Sequence, residues 1–176
     1  MPVEVKGAIE MRKALRAFSP DLAKSITKEV GFALKPVAKA ARGYMPGDSQ
    51  ILSNWLPKAN GQGNFPTYNS KAAKAGIGYK TSPSKPNNRG FTSLARLFNK
   101  SAVGAIYETA GRVTPNSVFV QNLNSKAGGS MKGSQKMQGR VLYRAYQENE
   151  GKAQDGVLRA IEKAKLLFKS QSKVVK

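Results

Sequence analysis

Two residue types are missing from this chain of 176 residues, which contains no cysteine and no histidine. Their absence excludes disulfides, thiol nucleophiles, zinc sites built on cysteine or histidine, and acid–base catalysis by an imidazole. A chain without cysteine fits synthesis in a reducing cytoplasm. Long apolar runs are missing as well, so the sequence predicts neither a secretory signal nor a helix that spans a membrane.

Acidic side chains are scarce: 10 of them stand against 30 lysines and arginines, which gives a formal net charge of +20. One interpretation is a basic surface that merely keeps a small protein soluble, although a charge of roughly 2–8 is typical of small soluble domains. The excess predicts a polyanionic partner, and nucleic acid is the commonest one.

The scarcity of acids also limits the chemistry. Glu108 is the one carboxylate between Asp48 and Glu148, so no neighbouring acid supplies the pair that many hydrolases use. The glycine-rich run at 128–134 lacks the strand, lysine position and helix of a phosphate-binding loop. We therefore predict no catalytic, cofactor-binding or metal site, and no enzymatic activity. Arg112 lies four residues after Glu108 and would pair with it if the segment is helical.

The stretch from Ser19 to Tyr44 organises the rest of the chain. Ser19 and Pro20 are typical of a helix start, and a long helix is predicted behind them. Pro36 predicts a kink or a break in this helix. An apolar stripe recurs at helical spacing, formed by Leu22, Ile26, Val30, Ala33, Val37, Ala40 and Tyr44. Basic side chains occupy another face: Lys24, Lys28, Lys35, Lys39 and Arg42. They form either a solvated helix face or a surface that lines an anion-facing channel.

The remaining elements follow from pattern and turn residues. We predict a short strand at 2–6, a helix at 7–18, a strand at 77–81, a second strand at 91–98, and a strand or helix at 102–110 that Gly111 ends. A short strand at 118–120, a flexible basic loop at 124–139 and a helix at 141–169 complete the chain. The fold class is α+β in a single domain of 176 residues, with a helical part (1–45), a loop-rich β part (46–140) and a C-terminal helix (141–176).

Aromatic and basic residues are interleaved in the middle of the chain. A protein that binds single strands stacks bases on such rings, while burial in the core is the simpler interpretation. The aromatic residues concerned are Tyr44, Trp55, Phe65, Tyr68, Tyr79, Phe91 and Phe98. The bases of the 124–139 loop, Lys126, Lys132 and Lys136, are further candidates for contact with DNA or an acidic partner.

Several segments in order carry a family resemblance: VEVKGAIEMRKALRAFSPDLAKSITKEVGFALKPVAKAARGYMP, ILSNW, GIGYK and NKSAVGAIYETAGR, followed by an amphipathic helix. Together they resemble the tail-completion, or head–tail joining, minor tail proteins of long-tailed bacteriophages. The last motif matches the family pattern at Ala105, Ile106, Tyr107, Glu108, Ala110, Gly111 and Arg112. The similarity covers nearly the whole chain, and the basic insert at 124–139 departs from it.

The resemblance implies helices packed on a small, mostly antiparallel sheet, in a structural subunit that forms a ring at the phage neck. About six copies would bring a charge on the order of a hundred around the DNA path. Implied partners are further copies of the chain, the head–tail connector, and tail-tube or terminator proteins, in the virion and, during assembly, in the host cytoplasm. Tyr107, Glu108 and Arg112 are predicted to form a subunit contact or a structural corner. The alternative function is a stand-alone, sequence-nonspecific nucleic-acid-binding protein.

Overall fold

A computed structural model describes residues 8–50, 55, 66–93, 95–126, 131–133 and 136–174. These residues form six α-helices and four short strands. In chain order they are α1 (Ala8–Phe18), α2 (Pro20–Gly43), a 3-10 turn (Asp48–Gln50), α3 (Ser70–Ala75), β1 (Ile77–Lys80), β2 (Arg96–Asn99), α4 (Ala102–Thr109), α5 (Val118–Lys126), β3 (Met131–Gly133), β4 (Lys136–Gly139) and α6 (Leu142–Val174). The α+β class predicted from the sequence is confirmed. The predicted strand at 2–6 lies outside the described residues.

The strands pair in two small sheets, β1 with β2 and β3 with β4. The β3–β4 pair is antiparallel, and its register is irregular between Met131 and Lys132. The backbone N–H of Lys100 donates to the carbonyl of Gly76 at 3.0 Å, so the end of β2 lies beside the start of β1. The 124–139 segment is therefore not a loop throughout, because it contains the end of α5 and both strands of a hairpin.

The chain divides into two compact units, each built from separate segments. The first comprises Met1–Pro36, Tyr79–Arg96 and Asn149–Lys176, and the second comprises Val37–Gly78 and Leu97–Glu148. These units cut across the three consecutive parts into which the sequence was divided above, because segments distant in the chain pack together.

The core of the first unit joins α1, the first part of α2 and the second part of α6. Its buried side chains are Leu15, Leu22, Ala23, Ile26, Val30, Leu34, Ala160 and Ala164, with Tyr79, Ala95 and Val157 packed against them. Gly156 permits the close approach of α6 to α2, since a Cβ at this position would lie 2.7 Å from the Cβ of Ala33. Of the apolar stripe predicted for α2, Leu22, Ile26, Val30 and Val37 are buried, while Ala33, Ala40 and Tyr44 are partly buried.

Helix α2 is not broken at Pro36, contrary to one of the two alternatives predicted for it. Pro36 and Phe32, whose carbonyl loses its helical partner at the proline, both have exposed side chains. Water can satisfy a carbonyl on the exposed side of a helix, which reduces the disruption by proline.

The second unit contains α3, α4 and α5 and the β3–β4 hairpin, with α4 adjoining α3 and β4. Val103, Tyr107, Val120 and Leu123 are buried in it. The segment 102–110, left open between strand and helix, is α4. The strand predicted at 118–120 is wrong, because Val118–Lys126 is helical and buries Val120 and Leu123 on one side.

Candidate nucleic-acid interface

The cations predicted to face an anionic partner lie on the side of α2 away from its core. Lys24, Lys28 and Lys35 belong to the first unit, and Lys39 and Arg42 to the second. All five are exposed. Within the first unit, residues 24, 28 and 35 share one helical face because they differ by four and seven positions. The structure therefore brings three of the five together on one surface.

An open groove of about 430 Å³ adjoins this surface between α1 and α2. Arg16, Lys24 and Lys28 line it, together with Pro20, Ala23 and Thr27. None of these described lining residues is acidic. Asp21 lies beside the groove, where its carboxylate accepts a hydrogen bond from the Lys24 ammonium at 3.3 Å. Both side chains of this ion pair are exposed to solvent, so the pair contributes about 1 kcal/mol at most to the stability of the fold.

Phe32 is the feature of this face that sequence reasoning missed. It is 54% exposed, and the Lys28 ammonium lies 5.8 Å from the centroid of its ring. Lys28 and Lys35 stand four residues before it and three residues after it, which places both beside the ring. The signal was present in the sequence, since Phe32 falls outside the apolar stripe and between basic residues.

Arg42 is held more firmly than the other cations of α2. Its guanidinium donates two hydrogen bonds to the carbonyl of Ile77, at 2.8 and 3.3 Å. Part of its hydrogen-bonding capacity therefore joins α2 to the start of β1 within the second unit. The prediction that Arg42 contacts DNA therefore concerns only the guanidinium N–H groups that do not bond to Ile77.

The loop cations have only a backbone placement. Lys126 ends α5, Lys132 lies in β3 and Lys136 begins β4; the side chains of all three lie outside the described part of the structure. Their contact with DNA or an acidic partner stays a prediction.

Glu108 forms a buried corner instead of an ion pair with Arg112. One carboxylate oxygen accepts the N–H groups of Val141 and Leu142 at 2.6 and 3.1 Å. The other accepts the N–H of Tyr143 at 3.1 Å. These are unpaired donors at the start of α6, and a carboxylate also complements the positive end of the helix dipole. Glu108 therefore caps a helix that begins more than thirty residues later in the chain.

Arg140, two residues before the start of α6, completes this corner. It is 1% exposed, and it donates to the Tyr107 carbonyl at 2.8 Å and to the Asn124 side-chain oxygen at 2.8 and 3.0 Å. Burial lowers the pKa of the Arg140 guanidinium. Burial also raises the pKa of Tyr107 to about 12, and the Tyr107 hydroxyl has no hydrogen-bond partner among the residues that the structure describes. Three hydrogen bonds hold the Arg140 guanidinium in place, and it positions the backbone of Tyr107 and the side chain of Asn124.

The three residues predicted as a subunit contact or structural corner are thus differently placed. Tyr107 and Glu108 are buried by their own chain, at 1% and 8% exposure, which favours the structural corner for both. Arg112 follows the end of α4, is exposed, and donates to the carbonyl of Gln138. The predicted ion pair between Arg112 and Glu108 is wrong, because α4 ends at Thr109, before Arg112, and Gly111 follows with a φ of +97°.

Of the seven aromatic residues considered for base stacking, Tyr44, Trp55 and Tyr68 make contacts within the second unit, whereas Phe91 is exposed. The Trp55 ring packs 5.3 Å from Tyr68 and 5.4 Å from Phe119 between centroids. Trp55 and Tyr68 are buried and donate to the carbonyls of Pro66 and Pro46. Tyr44 donates to Glu148, and Arg144 covers its ring at 4.4 Å. The core interpretation is confirmed for Trp55 and Tyr68; Phe65 lies outside the described residues.

The described residues contain no group of three or more His, Cys, Asp or Glu side chains that could hold a metal ion. Among the same residues, no helix is long and apolar enough to cross a membrane. Comparison of the chain with protein-family models, with curated proteins and with solved structures finds no match in any of the three.

Proposed function

We propose that this chain is a structural protein of the bacteriophage neck, which completes the tail and joins it to the head as a ring around the DNA path. The observation that carries the proposal is the exposed cationic face of α2 on a chain of net charge +20. Such a charge repels itself in a free monomer, and a nearby polyanion offsets the repulsion. The ordered motifs that resemble tail-completion proteins supply the location.

The two sides of α2 suit a subunit of this kind. In the first unit, Leu22, Ile26 and Val30 are sealed in the core, while Lys24, Lys28 and Lys35 remain exposed. A ring repeats this surface in every copy, so weak phosphate or carboxylate contacts add up through multivalency. The cations therefore face DNA in the lumen or an acidic ring above or below.

The proposed role involves no catalysis. The most enclosed charged groups of the described residues, Glu108 and Arg140, direct their polar atoms to backbone and amide partners that hold the start of α6. These contacts fix the start of α6, as a structural subunit of a ring requires.

The experiment locates the chain in the particle and then removes the charge. An antibody or a density map on virions assembled with this chain should place it at the joint of head and tail. Lys24, Lys28 and Lys35 changed together to Gln should lower the infectious titre. A matched control changes the exposed Lys152, Arg159 and Lys165 of α6 to Gln and should leave the titre unchanged. A position away from the joint, or equal titres for both triple variants, would refute the proposal.

A stand-alone nucleic-acid-binding protein is the second candidate, and the exposed Phe32 ring among cations favours it. The two candidates differ in particle size. A neck subunit forms a discrete ring of about six copies on the tail or in solution, whereas the alternative binds free DNA as a monomer of 19.0 kDa. A discrete multiple near six copies in mass photometry supports the neck subunit, and a salt-dependent shift of free DNA by the isolated monomer supports the alternative.

A further inference from the structure

The exposed ring of Phe32 stands out because of its neighbours. Single exposed apolar residues are ordinary in soluble proteins, so exposure alone indicates nothing. Here, however, the Lys28 ammonium lies over the ring, 5.8 Å from its centroid, and Lys35 follows three residues later on the same side of the helix. An aromatic side chain flanked by cations is the arrangement on which nucleic-acid bases stack while phosphates bind nearby.

The groove between α1 and α2 extends this surface. Lys28 belongs to both features, since it lines the groove together with Arg16 and Lys24 and also lies over the Phe32 ring. Lys28 therefore lies between the cationic groove and the exposed Phe32 ring. Residues 24 and 28 are one turn, or about 6 Å, apart along the helix. The first unit alone supplies the whole arrangement.

We propose that this surface binds single-stranded nucleic acid, with phosphates at Arg16, Lys24, Lys28 and Lys35 and an unpaired base stacked on Phe32. The proposal rests on the nucleic-acid contact of the proposed function and adds the form of the ligand. A duplex keeps its base faces inside the stack, so a phenyl ring reaches one only by forcing a base step apart, at a cost of about a few kcal/mol, whereas an unpaired base offers its face without that cost. Binding is sequence-tolerant, because every base has a π-face.

An acidic protein would match the same charges but would not need an aromatic ring. An apolar pocket on such a partner accepts Leu as readily as Phe to within the area buried, whereas base stacking requires the π-face. The requirement for a ring at position 32 therefore separates the two classes of partner. Among the residues of the groove that the structure describes, none is acidic, and Asp21 competes with an incoming phosphate for Lys24.

The first measurement is the fluorescence anisotropy of a labelled oligothymidylate titrated with the full-length chain, at low and at physiological salt. Phe32→Ala should bind about tenfold more weakly, which lies within the range for the loss of one stacked base. Phe32→Leu should bind as weakly as Phe32→Ala, and Phe32→Trp at least as tightly as the unmodified chain. Leu166→Ala on α6, where Leu166 is also exposed, is the matched control and should not change binding. Circular dichroism checks that each variant is folded.

The second measurement tests the charges. Lys28→Gln should weaken binding and reduce the slope of log K against log salt by about 0.7, the contribution of one phosphate contact on a single strand. Asp21→Asn should strengthen binding, because it releases Lys24. The exposed Lys165→Gln of α6 should leave the slope unchanged.

Three results would overturn the inference. Equal affinity of Phe32→Ala and the unmodified chain would show that phosphate contacts alone bind the strand. Equal affinity for a duplex of the same length, with no effect of Phe32, would make duplex DNA the ligand. Retained binding by Phe32→Leu, accompanied by tight binding to polyglutamate, would indicate an acidic protein partner. None of these results bears on where antibody or density places the chain in virions, so the neck assignment stands or fails separately.

Discussion

The carboxylate of Glu108 is the contact on which the joint between α4 and α6 depends, so Glu108→Gln is the most informative single change. The amide preserves the size of the side chain and keeps one acceptor oxygen for Val141 and Leu142. Its nitrogen then faces the N–H of Tyr143, two donors meet, and the negative charge at the helix start is lost. The native contacts are 2.6 and 3.1 Å on one oxygen and 3.1 Å on the other.

The magnitude follows from two contributions. One backbone N–H without an acceptor costs about 1–3 kcal/mol, and loss of a charge at a helix N-terminus costs about 0.5–2 kcal/mol in a partly buried site. We therefore expect Glu108→Gln to lower the free energy of unfolding by about 3 kcal/mol. For a chain of this size, that corresponds to a fall in Tm of about 6–12 °C.

Thermal and urea unfolding measured by circular dichroism gives the global effect, and amide hydrogen exchange gives the local one. The N–H groups of Val141, Leu142 and Tyr143 should lose protection first. Glu148→Gln is the matched control, because this exposed carboxylate lies in the same helix and pairs with Arg144 at 2.9 Å; it should cost under about 1 kcal/mol. If the two variants unfold alike and the three amides keep their protection, the capping role of Glu108 is refuted.

Three further predictions concern the same corner. Gly139→Ala places a Cβ 2.1 Å from the capping carboxylate and should cost about 2 kcal/mol, whereas the control Gly151→Ala, with open space around it, should stabilise α6 by about 0.5–1 kcal/mol; equal Tm values for both would contradict this. Arg140→Lys loses the planar fork that reaches two acceptors and should cost about 2 kcal/mol in urea unfolding, and an unchanged midpoint would disprove its role. The pKa of Tyr107 is raised to about 12 by burial, so its contribution to stability is present below pH 10 and is lost as the pH rises toward 12. Unfolding followed against pH should show this loss, and Tyr107→Phe should reduce it.

Pattern alone determined the helical part of this protein. The bounds predicted for α1 and α2, at 7–18 and 19–44, agree with the observed helices to within a few residues. The buried stripe at Leu22, Ile26 and Val30 is the predicted one, because helical spacing fixes which side chains share a face. Composition likewise determined the net charge of +20, because folding does not change the number of basic and acidic side chains.

Local preference predicts the wrong element where tertiary packing decides between helix and strand. Val118 to Val120 has strand propensity, yet the segment is helical because Val120 and Leu123 are buried three positions apart. A start signal was available at Ser117, whose hydroxyl accepts the N–H of Val120 at 3.3 Å. The hairpin of β3 and β4 carried no comparable signal within its basic, glycine-rich sequence.

The roles of single polar residues were decided only in three dimensions. The sequence predicts a pair of Glu108 with Arg112 because the two are four residues apart. In the structure the Glu108 carboxylate accepts the N–H groups of residues 141–143 instead, and no local pattern predicts a contact over such a distance in the chain. Phe32 follows the same logic, since its spacing places it on the exposed face while only the folded chain shows the groove and the Lys28 contact beside it. Helical periodicity determines which side chains share a face. Only the packing of segments distant in the chain determines which groups contact that face, or which N–H groups bond to the Glu108 carboxylate.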